Sequence, residues 1–159
     1  MPQPAPRQPP SRIRIEHVAP VVDGGRFPVK RTVGDRVVVS ADVVRDGHEI
    51  LGGCVRYRGP EARRSTSAPL EPLGNDRFAG SFEAAACGRW QFAVEAWYDR
   101  AASWRDELQR KVAAGQQDLS SELAEGEQLL GISPLDLETA LASAASDREE
   151  RTRSGSYKL

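Results

Sequence analysis

The segment GRWQFAVEAWYDRAASWRDELQRKV, Gly88 to Val112, changes its hydrophobic period partway along. Up to Tyr98 the apolar side chains alternate. Trp90, Phe92, Val94, Ala96 and Tyr98 fall on one face, as in a strand with one side in a core. Beyond Asp99 the period is helical: Ser103 and Asp106 form a loose capping box, and Trp104, Leu108 and Val112 recur on one helix face. The three tryptophans of the chain, Trp90, Trp97 and Trp104, all lie here, seven residues apart. That spacing is helical, but the change of period overrides it. Trp90 belongs to a sheet core, Trp104 to the first apolar turn of a helix, and Trp97 to the outer sheet face with Gln91 and Glu95. A chain with such a joint is a β unit that hands over to helices.

Upstream, residues 12–100 carry the punctuation of an antiparallel β-sandwich of immunoglobulin-like type, with six or seven strands. Arg12 to Val18 alternates, with Ile13, Ile15 and His17 sharing a face. RVVVSADVV, Arg36 to Val44, points Val37, Val39 and Val43 inward and Ser40 and Asp42 outward. Asp23-Gly24-Gly25, Gly34-Asp35 and Asn75-Asp76 are turn signals. Asp46-Gly47 predicts a tight hairpin into a strand over 49–57, in which Gly52-Gly53 suggests a bulge. A polar loop with Pro60, Pro69 and Pro72 precedes a short strand from Arg77 to Phe82.

Residues 101–147 read as a helical insertion. After the first helix, stopped at Gly115, a second follows Asp118 with Leu119, Leu123 and Leu130 on its apolar side and Gly131 at its end. A third opens at Ser133-Pro134, Ser as cap and Pro at the first helical position, with Leu137, Leu141 and Ala144 as its stripe. Such helices must pack on one another or on the sandwich. The lead-in 1–11, rich in proline, and the tail 148–159, without periodicity, read as disordered and frayed.

Composition narrows the partners. The formal charge of -1 gives no reason to expect nucleic acid or a membrane surface, and no apolar run is long enough to span a bilayer. The proline-rich start lacks the apolar region of a secretory signal, so a cytoplasmic location is expected. Cys54 and Cys87, far apart and outside any CxxC, read as reduced and mostly buried thiols.

Chemistry is hard to find. His17 and His48 have no nucleophile at a meaningful spacing and read as a packed and a solvated imidazole. Two histidines and two isolated cysteines do not make a zinc site, and the glycine-rich phosphate motifs are absent. Glu95 projects from a strand, and Asp106 and Glu107 from a helix, without a sign of convergence on a cleft. Trp97 is the one aromatic candidate for contact. An outward Trp packs under the following helices, sits in an interface, or stacks on a sugar ring, in that order of frequency. No catalytic, metal-binding or cofactor-binding residue is assigned, so a small independent enzyme has no supporting constellation.

Three longer strings carry more. VDGGRFPVKRTVGDRVVVSADVVRDGHE (Val22 to Glu49), PLGNDRFAGSF (Pro72 to Phe82) and Gly88 to Gln116 resemble, in order and spacing, the amino-terminal region of bacterial alpha-1,4-glucan:maltose-1-phosphate maltosyltransferases of the alpha-amylase superfamily. The resemblance covers about residues 12 to 130. It implies a β-sandwich and a helical insertion ahead of a (β/α)8 barrel. That barrel transfers maltosyl units from maltose 1-phosphate to the non-reducing ends of α-1,4-glucans through two carboxyl groups, with no metal or cofactor. The sandwich and helices are implied to support the barrel and to form a homodimer interface. A barrel needs about 200 residues or more, so none of the family's catalytic positions has a counterpart by Leu159. The expectation is an amino-terminal piece, inactive alone, without the family's closing strand and ending in SGSYKL unlike its relatives. The alternative is a stand-alone sandwich that binds α-glucan or a protein. Ala101, Ala102 and Phe78, smaller than is usual in the family, would thin the packing between sandwich and helices.

Overall fold

A computed structural model describes residues 12–47, 49–143 and 145–159. The proline-rich lead-in, His48 and Ala144, each given a role above, lie outside the described residues. Two antiparallel sheets face each other. The first has the order β1-β2-β6-β5, built from β1 (Arg14–Ala19), β2 (Arg36–Val44), β5 (Glu71–Gly74) and β6 (Arg77–Glu83). The second has the order β4-β3-β7-β8, built from β3 (Leu51–Arg58), β4 (Thr66–Pro69), β7 (Gln91–Asp99) and β8 (Arg148–Arg153), with β9 (Tyr157–Lys158) also on β7.

The alternation read from sequence becomes the core. Val37, Val39, Ala41 and Val43 of β2 meet Val55 of β3 and Phe92, Val94 and Ala96 of β7, all almost wholly buried. At one end Tyr57, Phe82 and Trp90 gather across the two sheets; the Tyr57 and Phe82 rings stack with centroids 4.3 Å apart. Trp90 satisfies its buried indole N–H by donating to the Ala86 carbonyl at 3.0 Å. Asn75 and Asp76, both at positive φ, turn β5 into β6.

Several expectations change. Asp46-Gly47 does not close a hairpin, because β2 and β3 lie in opposite sheets and the segment crosses between them. Gly52-Gly53 makes no bulge: the β3–β7 register runs unbroken from Leu51↔Tyr98 to Arg58↔Gln91. Those glycines make room instead. A Cβ on Gly52 would stand 2.5 Å from the Trp97 Nε1, and one on Gly53 2.8 Å from the Glu95 carbonyl oxygen. The proline loop contains β4 and β5, which were unread. His17 is not packed. The β1–β2 register shifts between Glu16 and Ala19, and His17, at φ 48°, turns outward.

The helical excursion holds α1 (Arg100–Ala113), α2 (Ser120–Leu130) and α3 (Leu137–Ala142). The helices pack on one another around a cluster of their own: Trp104, Leu108, Leu119, Leu135 and Ala140. Close approach is set at Gly126, where a Cβ would fall 2.2 Å from Trp104 Cζ2, and the indole N–H donates to the Glu122 carbonyl at 2.8 Å. The caps differ from expectation. Asp99, not Ser103, caps α1, and Asp136 caps α3, which begins beyond Pro134. Gly131, in the left-handed conformation, ends α2 as expected.

The tail is not frayed. β8 and β9 pair with the edge of β7 that β3 leaves open. Ser154 bridges them, donating its N–H to the Val94 carbonyl and accepting the Val94 N–H on its hydroxyl, each at 2.8 Å. Leu159 then exchanges hydrogen bonds with Trp90 in both directions.

Lys111 Nζ lies 2.6 Å from Glu122 Oε1 and 3.0 Å from Glu107 Oε1, tying α1 to α2. The Lys111 ammonium, then the backbone N–H of Glu122 itself and the Ser121 hydroxyl, hold Glu122 ionised down to about 2, from an ordinary value of 4.5. The unfolded chain protonates that carboxyl near 4.5, so the stabilisation is whole above that pH and is lost as the pH falls through about 2. Helical circular dichroism followed against pH should show this acid transition, and Glu122→Gln should remove its contribution while lowering stability at neutral pH.

Candidate functional site

The residues from which chemistry could be built lie apart and are engaged locally. His17 Nδ1 is 2.7 Å from Asp42 Oδ2, the start of a dyad. Its Asp42, however, also accepts from Arg77 Nη1 at 3.1 Å, and Arg77 spans Ser40 Oγ (2.7 Å) and the His17 carbonyl (2.8 Å). Arg77 and then His17 hold the Asp42 carboxyl below its ordinary value. The one hydroxyl in the network, Ser40, is bonded to Arg77 rather than to the imidazole, so no nucleophile faces a base. The network pins the β1 bulge to β2 and β6.

The carboxylates singled out above do not meet. Asp106 pairs with Arg110 at 3.2 Å and Glu107 with Lys111 at 3.0 Å, each within α1. Glu95 lies on the outer face of the second sheet, 4.0 Å from Arg56 Nε. Cys54 is buried and its thiol is pushed up chiefly by that burial; Cys87, expected to be buried, is exposed, and both are free. Among the described residues no group of three or more His, Cys, Asp or Glu side chains is placed to hold a metal ion.

Trp97 does sit on the outer face of β7, as its parity requires, yet it is only 6% exposed. Gly52 of β3 lies against its indole, and the Arg148 guanidinium of β8 stacks 4.1 Å from its ring centroid. The cover comes from the tail strand β8. A ring held between Gly52 and a guanidinium presents little surface to a sugar.

A second dense network lies at the joint itself. Asp99 Oδ1 accepts the Ala102 N–H at 3.0 Å, capping α1, and the Asp147 N–H at 3.1 Å. Its Oδ2 accepts from Ser146 Oγ at 2.7 Å. One carboxylate thus holds the first turn of the helical excursion and the last residues before β8, where the chain re-enters opposite Asp99 in the Asp99↔Arg148 pair. Arg100 adds ion pairs to Asp147 (3.1 Å) and Glu149 (3.2 Å). Ser103, read as a cap, instead links strand to helix: its hydroxyl donates to the Asp99 carbonyl and accepts the Ile50 N–H, both at 2.8 Å. Only a charged side chain at a change of period signalled this junction in the sequence.

The fold is a β-sandwich carrying a clasped helical excursion, and among the described residues the candidate catalytic groups do not converge. Residues 11–158 match the family described as alpha-1,4-glucan:maltose-1-phosphate maltosyltransferase, domain N/S, and the chain belongs to that family. The match takes in β8 and β9, so the tail expected to differ from the family lies within its pattern. Among similar proteins, the alpha-1,4-glucan:maltose-1-phosphate maltosyltransferase of Myxococcus xanthus is 45% identical over 120 residues, covering 73% of this chain and 18% of the relative. That of Salinibacter ruber is 41% identical, covering 76% and 18%. That of Mycolicibacterium smegmatis is 37% identical, covering 75% and 21%. The chain therefore spans about a fifth of the length of these relatives.

Asp99→Ala should lower unfolding free energy by about 1–2 kcal/mol, the range of a lost helix cap. Asp99→Asn keeps one acceptor oxygen and should recover most of it; urea denaturation of the two variants measures both.

Proposed function

We propose that this chain serves as the non-catalytic amino-terminal module of a maltosyltransferase. In that protein maltosyl units pass from maltose 1-phosphate to the non-reducing ends of α-1,4-glucans, as in the synthesis of a glycogen-like glucan. The observation that carries this reading is the extent of the match: domain N/S over residues 11–158, and about a fifth of each relative. The chemistry then belongs to a separate barrel, and this module supports that barrel and contributes to a homodimer interface in the cytoplasm. No helix among the described residues is long and apolar enough to cross a membrane. Trp97 serves in this role by stiffening the outer sheet face near the joint rather than by holding glucan.

The purified chain should release no phosphate from maltose 1-phosphate in the presence of glycogen. Substituted for the corresponding segment of the Myxococcus xanthus relative, it should leave transfer activity and a dimeric sedimentation coefficient in place. Turnover by the chain alone contradicts the proposal, as does a folded chimera without activity.

A further inference from the structure

Charge is unevenly distributed over a chain whose net charge is only -1. Residues 112–147 contain seven Asp and Glu and no Lys or Arg. The outer face of the second sheet is the opposite. There a groove of about 260 Å³ is lined by Arg56 and Arg58 of β3, Gln91 at the start of β7, Arg153 of β8, and the loop residues Ser65 and Ser156. Its volume falls below the roughly 300–1,000 Å³ of sites that enclose drug-sized ligands. It suits a small solute.

The donors around it are under-used. Arg58 Nη2 donates to Gln91 Oε1 at 2.7 Å, a neutral acceptor that positions the guanidinium without neutralising it. The Arg56 side chain is 40% exposed and makes no hydrogen bond among the described residues, its Nε alone being screened from solvent. Its nearest carboxylate, Glu95, is 4.0 Å away, beyond hydrogen-bonding range. Arg153 faces Glu95 in the β7–β8 register, and its side chain makes no ion pair or hydrogen bond among the described residues. Three guanidiniums, which do not deprotonate, thus stand against one carboxylate, an excess of two positive charges. Ser65 and Ser156 add hydroxyl donors at the rim.

We propose that this groove binds a small tetrahedral oxyanion, a phosphate or phosphate monoester. Guanidinium forks match such oxygens in pairs, and a monoester carries a charge of about -1.5 to -2 at neutral pH, which balances the local excess. A monocarboxylate would leave one positive charge unmatched and use fewer of the donors. The proposal stands whether or not the chain works as the module described above.

Titration of the ¹⁵N-labelled chain with inorganic phosphate, at ionic strength held constant with sodium chloride, tests the assignment. Saturable amide shifts at Ser65, Gln91 and Ser156 are expected. Arg153→Gln should weaken binding about tenfold, the scale of one charge-assisted contact. Arg153→Lys, which keeps the charge and loses the fork, should fall between, and unchanged amide shifts elsewhere establish that both variants fold. Arg14→Gln, on β1 of the other sheet and paired with Glu16, should bind as the parent does. Glucose 6-phosphate in place of phosphate separates the two sources. Tighter binding assigns the site to an esterified phosphate and equal binding to the free anion. Shifts that never saturate, or equal losses in Arg14→Gln and Arg153→Gln, overturn the proposal.

Discussion

The fold depends on β7 being paired along both edges and clasped at its end. One edge carries β3 over eight residue pairs, and the other carries β8 and β9, so the strand has no open edge to pair with other chains. At its last residue the chain leaves the sheet for nearly fifty residues and returns beside the same point. An excursion of that length is tolerable because loop-closure entropy grows only logarithmically with length, provided something fixes its two ends. Asp99 does so with one carboxylate, and Arg100 reinforces it with two ion pairs. Inserted there, the helices build their own apolar centre around Trp104 and leave the sandwich core undisturbed.

The three tryptophans show how one regular spacing serves three surroundings. Trp90 fills an aromatic cluster between the sheets, Trp97 lies flat on the outer face between Gly52 and Arg148, and Trp104 seats on Gly126 in the helical centre. A glycine lies against each indole: Gly52 and Gly126 where a Cβ would collide with the ring, and Gly59 where one would stand 3.2 Å from Trp90. Of the small residues singled out in the sequence, Ala101 is 1% exposed and Phe78 9%, whereas Ala102 is half-buried.

What the sequence made legible was what depends on period and on turn chemistry. The inward valines of β2, the alternation of β7, the helix stripe of Trp104 and Leu108, and the turns at Asn75-Asp76 and Gly131 all follow from local rules. The maltosyltransferase family could be read from three strings. Features set by non-local pairing were not legible. Nothing near Asp46-Gly47 says that the chain changes sheets there. His17 leaves the apolar face of Ile13 because of a bulge specified by β2, across the sheet. The tail REERTR hides its strand because charged side chains occupy its outer face, where Arg148 covers Trp97 and Arg153 lines the groove. An edge strand of this kind has no apolar alternation to detect, and its partner lies some fifty residues upstream.

Family membership and fold together describe a module whose carboxylates and arginines are mostly committed to holding it together. That description rests on the tail belonging to the sandwich. Amide hydrogen exchange in the intact chain measures this directly, at Ser154 and Leu159, whose N–H groups donate to the Val94 and Trp90 carbonyls. The structure predicts protection at both comparable to that of the β7 amides, lost only with the sheet as a whole. Exchange of the two at the rate of an unstructured peptide, while β7 stays protected, would contradict it.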